Sequence, residues 1–357
     1  MNKSLKITII GCGHAGSTVA ADLSLKGHDV TLLKTSNKLH NAHFEKIYED
    51  QAITITENGV TQKAKVNVTT DFEKAIVGKD LLIVYIQTNY HEDLIKKMCE
   101  YISDGQTVLV EPGYLATCYF LKYTNKNITI VEAESSPIDC RITSSGNVQV
   151  LFKNVVNPVG VYPAENIDIA KDVLVQLGYS FTFVSSVVEA ALHNPNLIVH
   201  TIGAIFSIPR IEYTNIHGGT YSMYREVFTP HVWNIVLALD EEKMNVLEKL
   251  GCPRLSYVEA CKLRNSEDDN RDATEVFFDY ANNSSPMGPD IPDSRYITED
   301  VPQGLVLLES LGQVLNIKTP VTSGLIDCSS ALLKRDFRGE GRTVEKLGYD
   351  IIKKTLG

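Results

Sequence analysis

The stretch "LKITIIGCGHAG", Leu5 to Gly16, decides how the first half of the chain is read. Apolar and β-branched residues from Ile7 to Ile10 have the composition of a buried strand, and Gly11-Cys12-Gly13-His14-Ala15-Gly16 forms a GxGxxG turn. "STVAADLSLKG" continues as a helix stopped by Gly27, and "HDVTLLK" is a second strand. Strand, glycine turn, helix, strand is the order in which backbone N–H groups and a helix N-terminus receive a pyrophosphate. Gly11 permits the tight turn, Gly13 lets the backbone approach the phosphates, and Gly16 lets the helix pack closely on the strand. Gly11, Gly13, His14, Ala15 and Gly16 are the candidate dinucleotide site; the bland alternative is a tight turn without ligand.

Moving outward, the end of the second strand separates the two nicotinamide cofactors, because an Asp or Glu there would bond the ribose hydroxyls of NAD. This chain has Lys34, Thr35 and Ser36, followed by Asn37 and Lys38. A cation with hydroxyls suits a 2′-phosphate, which favours NADP(H) and leaves NAD(H) possible. "QAITITENGVTQKAKVNVTTD" then alternates around Asn58-Gly59 as a hairpin, and "DLLIVYIQT", "GQTVLVEPG" and "NITIVEAES" read as strands separated by helical stretches. The expectation is an α/β, doubly wound Rossmann domain, mainly parallel, with Thr88, Glu111 and Glu132 near the strand ends that face a ligand.

The 357-residue chain is 43% hydrophobic and 22% charged, with a formal charge of -10, a soluble composition with length for two cores. Nucleic-acid and membrane surfaces recruit clustered Lys and Arg; no long basic run occurs, so neither partner is expected. Seven scattered cysteines without a CxxC pair suit reduced thiols and a cytoplasmic location. Neither a leader nor a membrane span is expected.

After "SFTFVSSVVEAALHNPN" the pattern changes to long three-and-four spacing, as in "NIVLALDEEKMNVLEKLG". The boundary is placed at Ser185, giving a cofactor domain over 1–185 and an all-helical C-terminal domain over 186–357. Pro195, Pro209, Pro230, Pro302 and Pro320 are expected to punctuate its elements. Nicotinamide chemistry needs the substrate carbon against the cofactor ring, so the helical part is expected to complete the site. An exposed apolar helical face would support a homodimer.

In "ALHNPNLIVHTIGAI", His193, Asn194, Asn196 and His200 interrupt an apolar segment, and buried polar groups there need a partner or a ligand. Either histidine could be a satisfied core residue or an acid–base catalyst. Pro195 breaks the helix that would put both on one face, and with no third ligand no metal site is expected. In "SRYITEDVPQGL", Ser294 to Leu305, Asp300 and Gln303 have capping-box spacing with Pro302 in the first turn. Arg295 suits either a carboxylate held in bidentate geometry or a structural salt bridge.

The ordered set "GCGHAG", "GQTVLVEPG", "PIDCR", "NPNLIVH", "RYITEDVPQGL", "TPVTSGLID" and "GRTVEKLG" resembles the opine dehydrogenases of the octopine, nopaline and carboxyalkyl-amino-acid type, over nearly the whole chain. The resemblance implies a Rossmann domain paired with a helical domain, and reductive condensation of a 2-oxo acid with the amine of an amino acid by NADH or NADPH. It carries the family's histidine onto His200, although Thr201 stands where many members place proline, and its arginine and aspartate onto Arg295 and Asp300. It also places Cys140 near the substrate pocket and leaves His193 as a supporting neighbour. His200 would be the general acid and base, Asp300 would orient it on the helix it caps, and Arg295 would hold a substrate carboxylate. Two other readings remain: an NADP-dependent reductase of a 2-oxo acid alone, like the ketopantoate reductases, which would need a lysine general acid, and a cofactor-binding sensor without turnover.

Overall fold

The computed structural model describes residues 4–36 and 38–356. Packing divides the chain into two compact units, one ending at Ala191 and one spanning Leu192–Leu356.

The first unit holds β1 (Lys6–Ile10), β2 (Asp29–Leu33), β3 (Ala52–Glu57), β4 (Val60–Lys65), β5 (Asn67–Thr69), β6 (Leu81–Val84), β7 (Thr107–Val110), β8 (Thr129–Ala133), β9 (Ile138–Ser144), β10 (Asn147–Lys153), β11 (Asn157–Tyr162) and β12 (Phe181–Phe183). Eight form one sheet in the order β12-β11-β8-β7-β6-β1-β2-β5. β1 pairs parallel with both β2 and β6, and only the β8–β11 junction is antiparallel. The chain builds to one side of β1 and then resumes on the other, so the order switches between β1 and β6, where doubly wound sheets bind ligands. Its central strands are near-continuous Ile, Leu and Val because both faces are covered.

The hairpin read from Asn58-Gly59 is β3–β4, with both turn residues at positive φ (49° and 77°) as a type I′ turn requires. It does not stand alone. "PIDCRITSSGNVQVLFK" is a second hairpin, β9–β10, and β10 pairs with β3 to make a four-stranded sheet in the order β4-β3-β10-β9. This sheet packs against the helix His14–Leu25.

Among its described residues the second unit has helices and no strands, its longer helices being Asn196–His217, Pro230–Lys249, Ala273–Asn283, Val306–Leu315 and Pro320–Leu333. Pro230 and Pro320 open helices, as expected, where the missing N–H costs nothing. Pro209 corrects the reading: it lies inside Asn196–His217 rather than between elements. Burial of Ile202, Ile205, Ile208 and Ile211 on one side of that helix offsets the roughly 3 kcal/mol that an interior proline costs. Buried Glu242 secures a helix start, accepting bonds from Val321 N (2.7 Å), Thr322 N (2.9 Å) and Thr322 Oγ1 (2.6 Å).

Candidate active site

The glycine turn shows which of its glycines the protein itself requires. Gly11 has φ +121°, and a Cβ there would meet the Tyr85 carbonyl carbon at 3.0 Å. A Cβ on Gly16 would press on the Gly11 carbonyl. Gly13 is different: its nearest neighbours would be His40 ring atoms at 3.8 Å, an ordinary contact. The space over Gly13 thus suits a group from outside, and the helix His14–Leu25, with Gly13 at its N-cap, carries no side-chain cap. A dinucleotide pyrophosphate fits both features.

His14 accepts a bond from Ile142 N (2.8 Å) and meets His40 edge-on at 5.3 Å, while Ala15 lies half-buried in the first turn. Behind them, burial holds His43 down at about 4, and its ring bonds Ser17 Oγ (3.0 Å) and Gly146 N (3.0 Å). Lys34 is buried and donates to the Leu39 carbonyl at 2.7 Å, so its charge is fixed within its own loop. Thr35 is half-buried and Ser36 exposed; Asn37 lies outside the described residues.

The strand-end candidates separate. Glu132 accepts from Leu115 N (2.9 Å), Thr117 N (2.7 Å) and Thr117 Oγ1 (2.5 Å), which pins the start of the helix Thr117–Tyr123 and gives it a local structural task. Thr88 is buried at the head of a short 3-10 turn. Glu111 is buried and receives the Tyr85 hydroxyl; burial pushes its carboxyl up to about 8, leaving it protonated at neutral pH. Cys140 sits in β9 opposite Val150, inside the hydrophobic core of the first unit.

In the second unit, His200 lies in the second turn of Asn196–His217 and Asp300 at the end of a short segment a hundred residues later. His200 Nδ1 and Asp300 Oδ2 are 2.8 Å apart, and both side chains are almost fully buried. A carboxylate oxygen accepts, so in this contact Nδ1–H is the donor to Asp300. Tyr296 stacks on the imidazole, with ring centroids 3.6 Å apart and planes 8° from parallel. Sequence reasoning assigned Tyr296 no role; the signal was its place four residues before Asp300, which is one helical face.

The capping-box reading of Asp300 is corrected here. Its side chain makes no cap bond, and the next residues, Val301–Leu305, form a turn of π-helix opened by Pro302. The carboxylate is directed to His200 instead. Arg295 occupies the first turn of the helix Arg295–Thr298; its side chain is 56% exposed and approaches Glu299 only at 3.9 Å, too long for a firm salt bridge. His193 is separated from His200 by the break at Pro195 and is buried with neither ring nitrogen hydrogen-bonded among the described residues. Desolvation, reinforced by the Lys243 and Arg264 cations, holds it down at about 2. On the same helix as His200, Ser207 bonds Tyr221, which lines a cavity of about 410 Å³ together with Ile211, Thr214, Met287 and Asp290.

Comparison with known proteins agrees with this division. Residues 183–333 match the family described as NAD/NADP octopine/nopaline dehydrogenase, alpha-helical domain, and residues 6–112 match the N-terminus of NAD-dependent glycerol-3-phosphate dehydrogenase. An opine dehydrogenase of Arthrobacter sp. (strain 1C) is 27% identical over 98% of this chain and 96% of its own. An octopine dehydrogenase solved with NADH and L-arginine superposes with a TM-score of 0.75 at 19% identity, covering 99% of this chain and 98% of the other. A yersinopine dehydrogenase solved with NADP+ gives 0.74 at 12% identity, covering 100% and 99%. With a helical half that matches that model and a relative aligned end to end, the chain is similar to the NAD/NADP octopine/nopaline dehydrogenases over nearly its whole length.

Proposed function

We propose that the protein is an opine dehydrogenase, condensing a 2-oxo acid such as pyruvate with the amine of an amino acid to give an N-(1-carboxyalkyl) amino acid. The observation that carries this is the buried His200–Asp300 pair, with Arg295 on the segment that leads into it. Solved octopine dehydrogenase structures with L-arginine, with agmatine and with pyruvate support the substrate classes. Gly11, Gly13 and the start of the helix His14–Leu25 would hold a nicotinamide cofactor, which when bound would supply hydride for the imine carbon. His200 Nε2 first takes a proton from the substrate ammonium, freeing the amine to attack the carbonyl. It then returns the proton to the carbinolamine oxygen, which leaves as water while the imine forms. Asp300 fixes the tautomer and stabilises the imidazolium between these steps. Arg295, whose side chain is 56% exposed, takes a substrate carboxylate in bidentate fashion and orients the reacting carbon. His193, buried just before the helix that carries His200, is assigned a supporting role; Cys140, enclosed in the other unit's core, receives a packing role.

NADP(H) is the favoured cofactor, supported by Thr35 and Ser36 with no acid at that strand end, while the Lys34 ammonium is engaged by the Leu39 carbonyl, and NAD(H) remains possible. Seven free thiols support a cytoplasmic site of action; no described helix is long and apolar enough to cross a membrane. Exposed Phe206, Tyr213 and Ile216 on the helix Asn196–His217 support a homodimer, which light scattering would test. The deciding assay follows NADPH and NADH oxidation with 2-oxo acids, with and without pooled amino acids, and weighs the product. Turnover that requires both substrates and yields a secondary amine is the expected result; turnover with the oxo acid alone would replace this reading with a hydroxy-acid reductase.

A further inference from the structure

The π-helical turn after Asp300 needs its own support. A π turn inserts an extra residue into a helix, disturbs the regular bonding of its carbonyls, and is uncommon outside functional sites. Here Val301–Leu305 takes that form between Asp300 and the regular helix Val306–Leu315. The Pro302 carbonyl is met by the backbone N–H of Arg342 at 2.9 Å, and Arg342 Nε donates to Gln303 Oε1 at 3.0 Å. Arg342 is 2% exposed, an extreme value for a guanidinium. Gly341 lies flush against the same turn: a Cβ there would stand 2.7 Å from the Pro302 oxygen and 2.6 Å from Val306 Cγ1. Two consecutive residues therefore grip the turn through a backbone bond, a side-chain bond and direct contact.

We propose that Arg342 is a positioning residue: by locking the π turn it sets Asp300 against His200 Nδ1. The inference rests on the acid–base reading of His200. A merely structural arginine gives the contrast. Arg338 bonds Glu309 at 2.7 Å through both Nε and Nη2 and also pairs with Asp327, tying helices together with no bond, among the described residues, to residues 300–305.

The test compares Arg342→Lys, Gln303→Met and, as control, Arg338→Lys. It measures kcat and KM, the pH profile of kcat/KM, thermal melting, and the NMR titration of His200 in cofactor-free protein. Arg342→Lys and Gln303→Met are expected to lower kcat about ten-fold or more, to leave the cofactor KM within about two-fold, and to move the His200 titration to lower pH as its carboxylate partner shifts away. Arg338→Lys should lower the melting temperature and leave the titration in place. If the first two variants melt earlier but keep the wild-type titration and pH limb, Arg342 is only structural and the proposal is overturned. Should Arg342→Lys fail to fold, Gln303→Met decides alone, since it removes only the side-chain bond. If His200→Gln retains full turnover, the acid–base reading itself fails and takes the positioning role with it.

Discussion

The glycine turn and the His200–Asp300 pair are two ways of bringing candidate site residues together. The turn is nearly local: Gly11 to Gly16 are consecutive, and the distant Tyr85 that presses on Gly11 is held beside it by a bond to the Ile10 carbonyl at the end of β1. The pair is assembled from positions a hundred residues apart, brought to 2.8 Å by helix packing. A local site tolerates change elsewhere in the chain, whereas an assembled one inherits every error of its scaffold.

That contrast is best broken by substitutions that should affect one region and spare the other. His200→Ala and Asp300→Asn are expected to lower kcat by about 10²–10⁴-fold while leaving cofactor affinity, measured by fluorescence titration, within about two-fold. Gly13→Val should do the reverse. With only His40 nearby it should melt close to wild type yet bind cofactor about 100-fold more weakly, whereas Gly16→Val should unfold earlier because its side chain meets the Gly11 carbonyl. A Gly13 variant that binds normally would remove the turn from the site. Arg295→Ala should raise the KM for the 2-oxo acid by about 10- to 100-fold, the worth of one charge-assisted bond pair, with the cofactor KM unmoved.

The pH dependence of stability sharpens the comparison because each unit carries a buried group of opposite sense. His193, held near 2, stays neutral when folded but protonates when unfolded. Its contribution is therefore present above about pH 6.5 and is lost as pH falls, at roughly 1.4 kcal/mol per pH unit. Glu111, raised to about 8, works the other way: its contribution is present below about pH 4.5 and is lost as pH rises toward 8. His193→Asn should flatten the acid side of the melting curve, and Glu111→Gln should raise the melting temperature at pH 8 relative to wild type. Unchanged slopes would mean that neither group stays buried as described. The smallest effect is expected at Lys34: because its ammonium already serves the Leu39 carbonyl, Lys34→Ala should change the NADPH to NADH preference by less than about ten-fold.

Most of the first unit was legible because strand periodicity and turn chemistry are local signals. The run Ile7–Ile10, the GxGxxG turn and Asn58-Gly59 all led to the elements found. The β9–β10 hairpin went unread although its turn at Ser145-Gly146 is local; its pairing with β3, some ninety residues earlier, leaves little local trace. In the second unit Pro230 and Pro320 marked helix starts, but Pro209 did not break its helix, because burial of the surrounding isoleucines outweighed propensity. His200, Asp300 and Arg295 came from the family resemblance rather than from spacing, and spacing alone favoured a cap for Asp300. Tyr296 and Arg342 became visible only when packing showed what each ring and guanidinium touches.

The order of residues along the chain has a consequence for synthesis. The unit that carries the glycine turn ends at Ala191, while Asp300 is added roughly a hundred residues later, about 5 to 20 s at ordinary rates of elongation. During that interval the nascent polypeptide can complete the core that carries the glycine turn before it possesses the pair to which proton transfer is assigned under the proposed function. Ligand bound at that stage would stabilise the emerging domain in proportion to its concentration over its dissociation constant, so the coenzyme pool of the cell would act as a folding aid before it acts as a reductant.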